Sequence, residues 1–304
     1  MPQSKKVFTV YIKSKMGYTP MTGILLALVA AVSWGSIVFV SNKLGGDEDS
    51  QTLGTTLGAL FFAIVVYLFK KPDMPNVVWA VGFISGLFWS VGQKNQFGAV
   101  RYLGVAKTGP MSTGLQLIGT TFFGVFIFKE WQTTMSIIIG ISSLVCIIVG
   151  AVLTSLNQGD DKDQGKSLKK GLLVLLLSTA GFVGYVVLIR WFHIDGWAAI
   201  LPQAIGMVTG AFLITLRHRP YNKYAVRNML TGLIWSTGNL GLLLALPLVG
   251  VATSFSLSQT GIVISTIGGL FFLNERKSKK QVIMVLLGCL FIIAGGVLLG
   301  YTKR

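Results

Sequence analysis

Acidic residues are scarce. The chain holds ten Asp and Glu against 26 Lys and Arg in 304 residues, and only 12% of it is charged. A soluble domain carries about twice that charged fraction. Nucleophiles and metal ligands are as thin, with two cysteines and two histidines. Cys146 and Cys289 each lie in an apolar run without a CxxC partner or a nearby His cluster. That excludes zinc and redox motifs and leaves two small buried residues. His193 and His218 stand near the ends of apolar runs, and no H-E-x-x-H occurs. A membrane-embedded enzyme would need an acid–base pair, an activated nucleophile or a metal cluster, so the enzyme class is excluded and no cofactor or metal is expected.

What fills the chain is apolar: 52% of the residues, with a mean hydropathy of +0.70. Apolar runs lie near 22–42, 52–69, 77–98, 103–128, 134–156, 169–192, 196–216, 228–247, 250–273 and 281–301. Runs of roughly 18 residues or more read as transmembrane helices. Barrel strands would be about ten residues long with period-two alternation. The reading is an all-α membrane protein of ten transmembrane helices. The longest polar interruption, NQGDDKDQGKSLKK at 157–170, divides the spans five and five. The expected organisation is a basic N-terminal extension (1–20), a first five-helix repeat (21–156), a polar linker (157–168) and a second repeat (169–304). Met21 also fits a natural start.

The net charge of +16 does not point to nucleic acid. Lys and Arg collect in short connections such as KKPDMPN, RHRPYNKYAVRN and NERKSKK. Such clusters suit membrane orientation and anionic lipid headgroups. By the Lys/Arg count alone both termini would lie outside, whereas the basic N-terminus argues for inside.

Two runs echo each other: GLFWSVGQKNQFG at 86–98 and GLIWSTGNLGLLL at 232–244. At an offset of 146, Trp89 aligns with Trp235, Ser90 with Ser236, Gly92 with Gly238 and Gln93 with Asn239. At 145, GVFIFKE (124–130) aligns with GLFFLNE (269–275), and IIVGAVL (147–153) with IIAGGVL (292–298). Five spans per copy is odd, so the second copy crosses the membrane in the opposite sense. Inverted repeats of this kind characterise secondary transporters, with the substrate held near the midplane.

Polar side chains in hydrocarbon are costly unless they face the bundle interior or a wet cavity. Trp89, Gln93 and Gln96 share one stripe of the third span, with Asn95 off it. Thr113, Gln116 and Thr120 form a stripe on the fourth. Trp235 and Asn239 on the eighth span, and Ser258, Gln259 and Ser265 on the ninth, repeat the pattern with less polarity. Trp34 lies mid-span in the first helix. Indoles and amides carry no fixed charge and suit a neutral hydroxylated ligand. Ser and Thr serve as well between helices. Pro202 and Gln203 are a candidate helix break with a polar contact. No carboxylate falls at mid-membrane, so proton coupling would rest on Glu130, Glu275 or the His193/Asp195 pair at the edges. Lys94 has no evident place.

The five-plus-five pattern closed by GVFIFKE and GLFFLNE resembles the drug/metabolite transporter superfamily. Within it, GLFWSVGQKNQFGAVRYLGV and KTGPMSTGLQLIGTTFFGVFIFKEW are similar to the bacterial glucose/ribose uptake porters, the glucose uptake protein group. The resemblance runs from Met21 to the C-terminus. It implies uptake of a monosaccharide, glucose or ribose, across the cytoplasmic membrane by alternating access with protons, and cytoplasmic termini. Export of amino acids, metabolites or drugs, and uncoupled sugar facilitation, are the competing carrier readings.

Overall fold

The structure is a computed structural model, and it describes residues 20–127, 131–155, 162–218, 220–269 and 278–301. Those residues form ten helices and no strand: α1 Pro20–Leu44, α2 Glu48–Lys70, α3 Asn76–Leu103, α4 Val105–Phe126, α5 Thr134–Ser155, α6 Lys162–Trp191, α7 Gly196–Thr215, α8 Lys223–Gln259, α9 Ile262–Ile267 and α10 Lys279–Tyr301. Six of them, α1, α2, α5, α6, α7 and α10, are long and apolar enough to cross a membrane. Of the other long helices, α3 and α8 carry the two echoed W-S-x-G runs and α4 carries Thr113 and Gln116.

Helix ends follow local chemistry. Asp47 caps α2, accepting from the Ser50 backbone N–H at 2.8 Å. Asp195 caps α7 through Trp197 N–H and Ala198 N–H, and Asn222 caps α8 through Tyr224 N–H and Ala225 N–H. Each satisfies amides that the first helical turn leaves unpaired. Gly104 separates α3 from α4 in a single residue at φ 75°, a backbone region glycine enters without strain.

The backbone stays helical through the expected connection at 247–250 as far as Gln259, but the chain reverses there as the sequence implied. Gly241 rests on Leu26 and Ala30 of α1 and Gly261 on Ala31 and Gly35, at most about 14 Å apart along α1, where about 20 residues of straight helix would span about 30 Å. Two expectations about breaks change. An unforeseen interruption falls at Thr260 and Gly261, whose amides bond three residues back, to Leu257 and Ser258. Pro202 does not break α7, which continues from Gly196 to Thr215 around it.

Packing pairs the helices in a regular way. α1 lies against α8 and α3 against α6, while α3 also packs on α7 and α2 on α8. α2 meets α7, and α5 meets α10. Closest approach occurs at glycines. A Cβ on Gly206 would overlap the Phe83 carbonyl, and one on Gly58 would overlap that of Met229. Likewise Gly86 abuts Gln203 and Met207, and Gly232 abuts Thr55 and Ala59. Small residues allow backbone-to-backbone contact where no hydrophobic force separates helix from lipid.

Ile37, Ala59, Trp89, Phe97, Phe182, Met207 and Trp235 form a buried central cluster. Leu117, Ile147, Ile262, Val285, Cys289 and Ile292 form a second one among α4, α5, α9 and α10. The outer faces are apolar as well: Phe61 and Leu68 of α2, Ile138 and Ile141 of α5, Leu173 and Leu177 of α6 and Leu290 of α10 are all exposed. Exposed apolar surface on this scale requires lipid around it.

Candidate substrate cavity

The turn at Gly104 folds α4 back beside the end of α3, and the two polar stripes meet there. Gln93 donates from Nε2 to Gln96 Oε1 at 3.1 Å. Gln96 Nε2 donates to Ser112 Oγ at 2.8 Å, and Gln116 Nε2 donates to the same oxygen at 3.0 Å. A hydroxyl oxygen has two lone pairs, so Ser112 accepts both amides. Thr113 is half-buried next to it, and Thr120 turns its hydroxyl back to the Gln116 carbonyl. Thus Gln93, Gln96 and Gln116 belong to one polar seam between α3 and α4. Asn95 stands apart, donating to the Val91 carbonyl of its own helix at 2.8 Å.

The echoed tryptophans meet at the centre. Trp89 and Trp235 pack edge to face with ring centroids 5.0 Å apart, and Trp89 is fully buried. Trp34 Nε1 donates to the Trp235 carbonyl at 3.3 Å. Trp235 lines a small cavity of about 10 Å³ between α2, α7 and α8, room for about one water molecule as the helices stand. Ala59, Phe62, Ile200, Ala204 and Met207 give it apolar walls, and Gln203, Ser236 and Asn239 give it polar groups. Gln203 is held by donating to Ser85 Oγ at 2.9 Å, and Ser85 in turn donates to the Tyr185 carbonyl at 3.0 Å. Asn239 is half-buried, and its amide makes no hydrogen bond to another described residue. An indole face beside the unbonded Asn239 amide, with no formal charge, suits the C–H face and hydroxyls of a neutral polyol.

The sequence-predicted residues therefore gather in two places. Trp235 and Asn239 line the cavity, with Trp89 and Trp34 packed behind it, while Gln93, Gln96 and Gln116 form the seam. Gln259 ends α8, but its side chain lies outside the described residues, as do Glu130 and Glu275 altogether. Asp195 is committed to capping α7, and His193 closes α6 in a left-handed backbone conformation. Among the described residues no ion pair joins those two. Gln203 and Ser236 gain a role in the cavity that spacing alone had not given them.

A charged cluster that spacing did not reveal lies at the N-terminus of α2. Lys94 Nζ is 2.8 Å from Asp49 Oδ1, too poorly aligned for a hydrogen bond to that oxygen, and also donates to the Ile214 carbonyl at 3.2 Å. His218 Nδ1 is 2.6 Å from Asp49 Oδ2. Arg101 pairs with Glu48. Beside them, burial would raise the Asp47 pKa, but the Ser50 hydrogen bonds and the nearby His218 outweigh it and hold the carboxyl below its usual value. The signal was present: Asp47, Glu48, Asp49 and Ser50 form an N-cap and acidic first turn. Starting the second span at 52 had left Asp49 in the connection.

The chain matches the family described as sugar transport protein over residues 25–302. The Glucose uptake protein GlcU of Bacillus subtilis (strain 168) is 54% identical over 282 residues, covering 92% of this chain and 98% of that protein. A Bacillus cereus protein named "Probable glucose uptake protein GlcU" is also 54% identical, over 92% of this chain and 99% of its own length. One solved crystal structure shares the fold with a TM-score of 0.58, covering 91% of this chain and 96% of its own at 16% identity. An all-helical bundle with a lipid-facing apolar exterior and a polar-and-indole interior agrees with those matches, and the chain belongs to the sugar transport protein family, as a multi-pass transporter of the bacterial cell membrane rather than an enzyme.

Proposed function

We propose that this transporter takes up a monosaccharide, glucose before ribose, by alternating access of two inverted five-helix repeats of the drug/metabolite type, with protons as the coupling ion. The observation that carries the reading is the cavity, which offers Trp235, Gln203, Ser236 and the unbonded Asn239 amide, and no charge. In this reading Trp235 stacks on the sugar ring, and Asn239 and Gln203 bond its hydroxyls. Gln93, Gln96, Thr113 and Gln116 form the adjoining wall, whose amides become available when α3 and α4 part. Gln259 and Trp34 complete it, and Asn95 joins only if α3 rotates.

The packing supports inverted repeats. If each helix is matched with the one five places later, α1 on α8 becomes α6 on α3, and α3 on α7 becomes α8 on α2; both partners of each exchange occur. The glycine contacts exchange as well. Gly206 on Phe83 maps to Gly58 on Met229, and Gly86 on Gln203 and Met207 maps to Gly232 on Thr55 and Ala59. Names given to relatives at 54% identity support glucose as the substrate. For coupling, Glu130, Glu275, His193 and Asp195 remain the edge candidates named from the sequence.

Uptake of labelled sugar into proteoliposomes, with and without an inward proton gradient, tests this. Accumulation of glucose above the external concentration only with the gradient is expected. Entry at rates no greater than empty vesicles, for glucose and ribose alike, overturns the sugar reading. Equal entry without concentration overturns coupling and leaves a facilitator.

A further inference from the structure

Asp49 is a buried carboxylate, its side chain 6% exposed, held between Lys94 and His218 from two different parts of the chain. Lys94 comes from α3, one repeat's helix, and His218 from the turn after α7, in the other. Lys94 is also tied to the Ile214 carbonyl at the end of α7. The cluster thus closes the junction between α2, α3 and α7 at the membrane face away from the chain termini. Along α2, Ala59 of the cavity wall lies about 15 Å from Asp49 at 1.5 Å per residue. Between them Thr56, fully buried, shares the face of Asp49 at i+7.

The opposite face is closed by the same positions with other chemistry. Trp197 stands 148 positions after Asp49, and Lys70 stands 148 before His218. That is also the spacing of the two caps, Asp47 and Asp195, and of Gly58 and Gly206. At this second junction Lys70 Nζ lies over the Trp197 ring, 5.0 Å from its centroid. One closure is ionic; the other is a cation–π contact. A proton can abolish the first by neutralising the carboxylate, but leaves the second unchanged.

We propose that Asp49, with Lys94 and His218, is the latch of the face distal to the termini, and that proton uptake by the Asp49 carboxylate releases it. One O–H bond forms at Asp49, the proton coming from water on that face, and Lys94 and His218 lose their anionic partner. The other titratable and charged groups near this end are the cap Asp47, Glu48 of α2 paired with Arg101 of α3, Arg217 beside His218, and Lys223, Tyr224 and Arg227 at the start of α8. The inference rests on the transport reading above and assigns its coupling to a residue outside the edge candidates.

The test is a Thr56→Cys reporter in a chain with Cys146→Ala and Cys289→Ala, labelled in proteoliposomes by a membrane-impermeant thiol reagent added to one side or the other. Asp49→Asn is expected to raise labelling at least tenfold from the face carrying His218 and to leave the other face unchanged. Acidification should raise labelling of the Asp49-intact reporter in the same one-sided way, and Asp49→Asn should abolish that pH dependence. If Asp49→Asn does not fold, Lys94→Gln and the exposed His218→Ala provide the same comparison, each with a threefold or greater one-sided rise. Labelling that stays constant, or rises equally from both faces, overturns the latch. A reporter that answers to pH while moving no sugar retains the latch and rejects the sugar assignment.

Discussion

Trp89 and Trp235, the tryptophans of the two G-L-x-W-S-x-G runs, touch edge to face at 5.0 Å between ring centroids. Their contact lies in the buried central cluster, and the cavity opens on one side of it because Trp235 lines it while Trp89 does not.

Asn239 is the cavity amide with no partner among the described residues, so its removal should cost binding and little else. Asn239→Ala is expected to raise KM for sugar uptake about tenfold, the loss of one hydrogen bond of about 1.5 kcal/mol. Thermal unfolding in detergent should be unchanged. Wild-type uptake kinetics would remove Asn239 from the site.

Gln116 donates to Ser112 and stands in the seam with Gln96. Gln116→Ala is expected to lower transport several-fold while folded protein is still recovered. A fall in yield and melting temperature with unchanged kinetics in the remaining protein would make the seam purely structural.

Gly206 faces the Phe83 carbonyl at the α3–α7 crossing. Gly206→Ala places a methyl group against backbone that cannot give way, and overpacking of this kind costs about 1–3 kcal/mol. A melting temperature lowered by several degrees, with Gly58→Ala producing a similar fall at the matching crossing, is the expected result. Differential scanning fluorimetry of the purified variants measures it.

The Asp47 cap gives stability a definite pH dependence. Its carboxyl is held below the usual value, so the contribution is fully present above the unfolded value of about 4 and fades as pH falls through the lower folded value. Asp47→Ala should lose about 1 kcal/mol at neutral pH. Unfolding measured at neutral pH and near pH 3 should show the parent and the variant converging at the acid end.

Much of the architecture was legible because hydrophobic run length and Gly, Asp and Asn punctuation act locally. The long spans and the polar stripes follow from neighbours in sequence, whereas the caps and the α3–α4 turn at Gly104 were not read there, and α3 continues to Leu103 past its expected end at 98. The interruption at Thr260 and Gly261 was not legible either, since the apolar run continues through it. Site residues divided in the same way. Gln93, Gln96 and Gln116 were visible by helical spacing, and the structure joins them through Ser112, which spacing did not single out. Lys94 had no meaning until Asp49 and His218, 45 positions before it and 124 after it, came together around it. Charge pairing at such separations depends on which helices cross, and composition carries no record of that.

The glycine crossings also limit how this bundle can move. At Gly58, Gly86, Gly206 and Gly232 one backbone rests directly on another. Sliding α3 along α7 by a single residue would drive a side chain into a carbonyl, so translation is blocked. Rotation about the contact moves no Cβ through it. The two crossed pairs are consequently pivots, and whatever opens one end of the molecule must do so by scissoring about them, narrowing the far end as the near one widens.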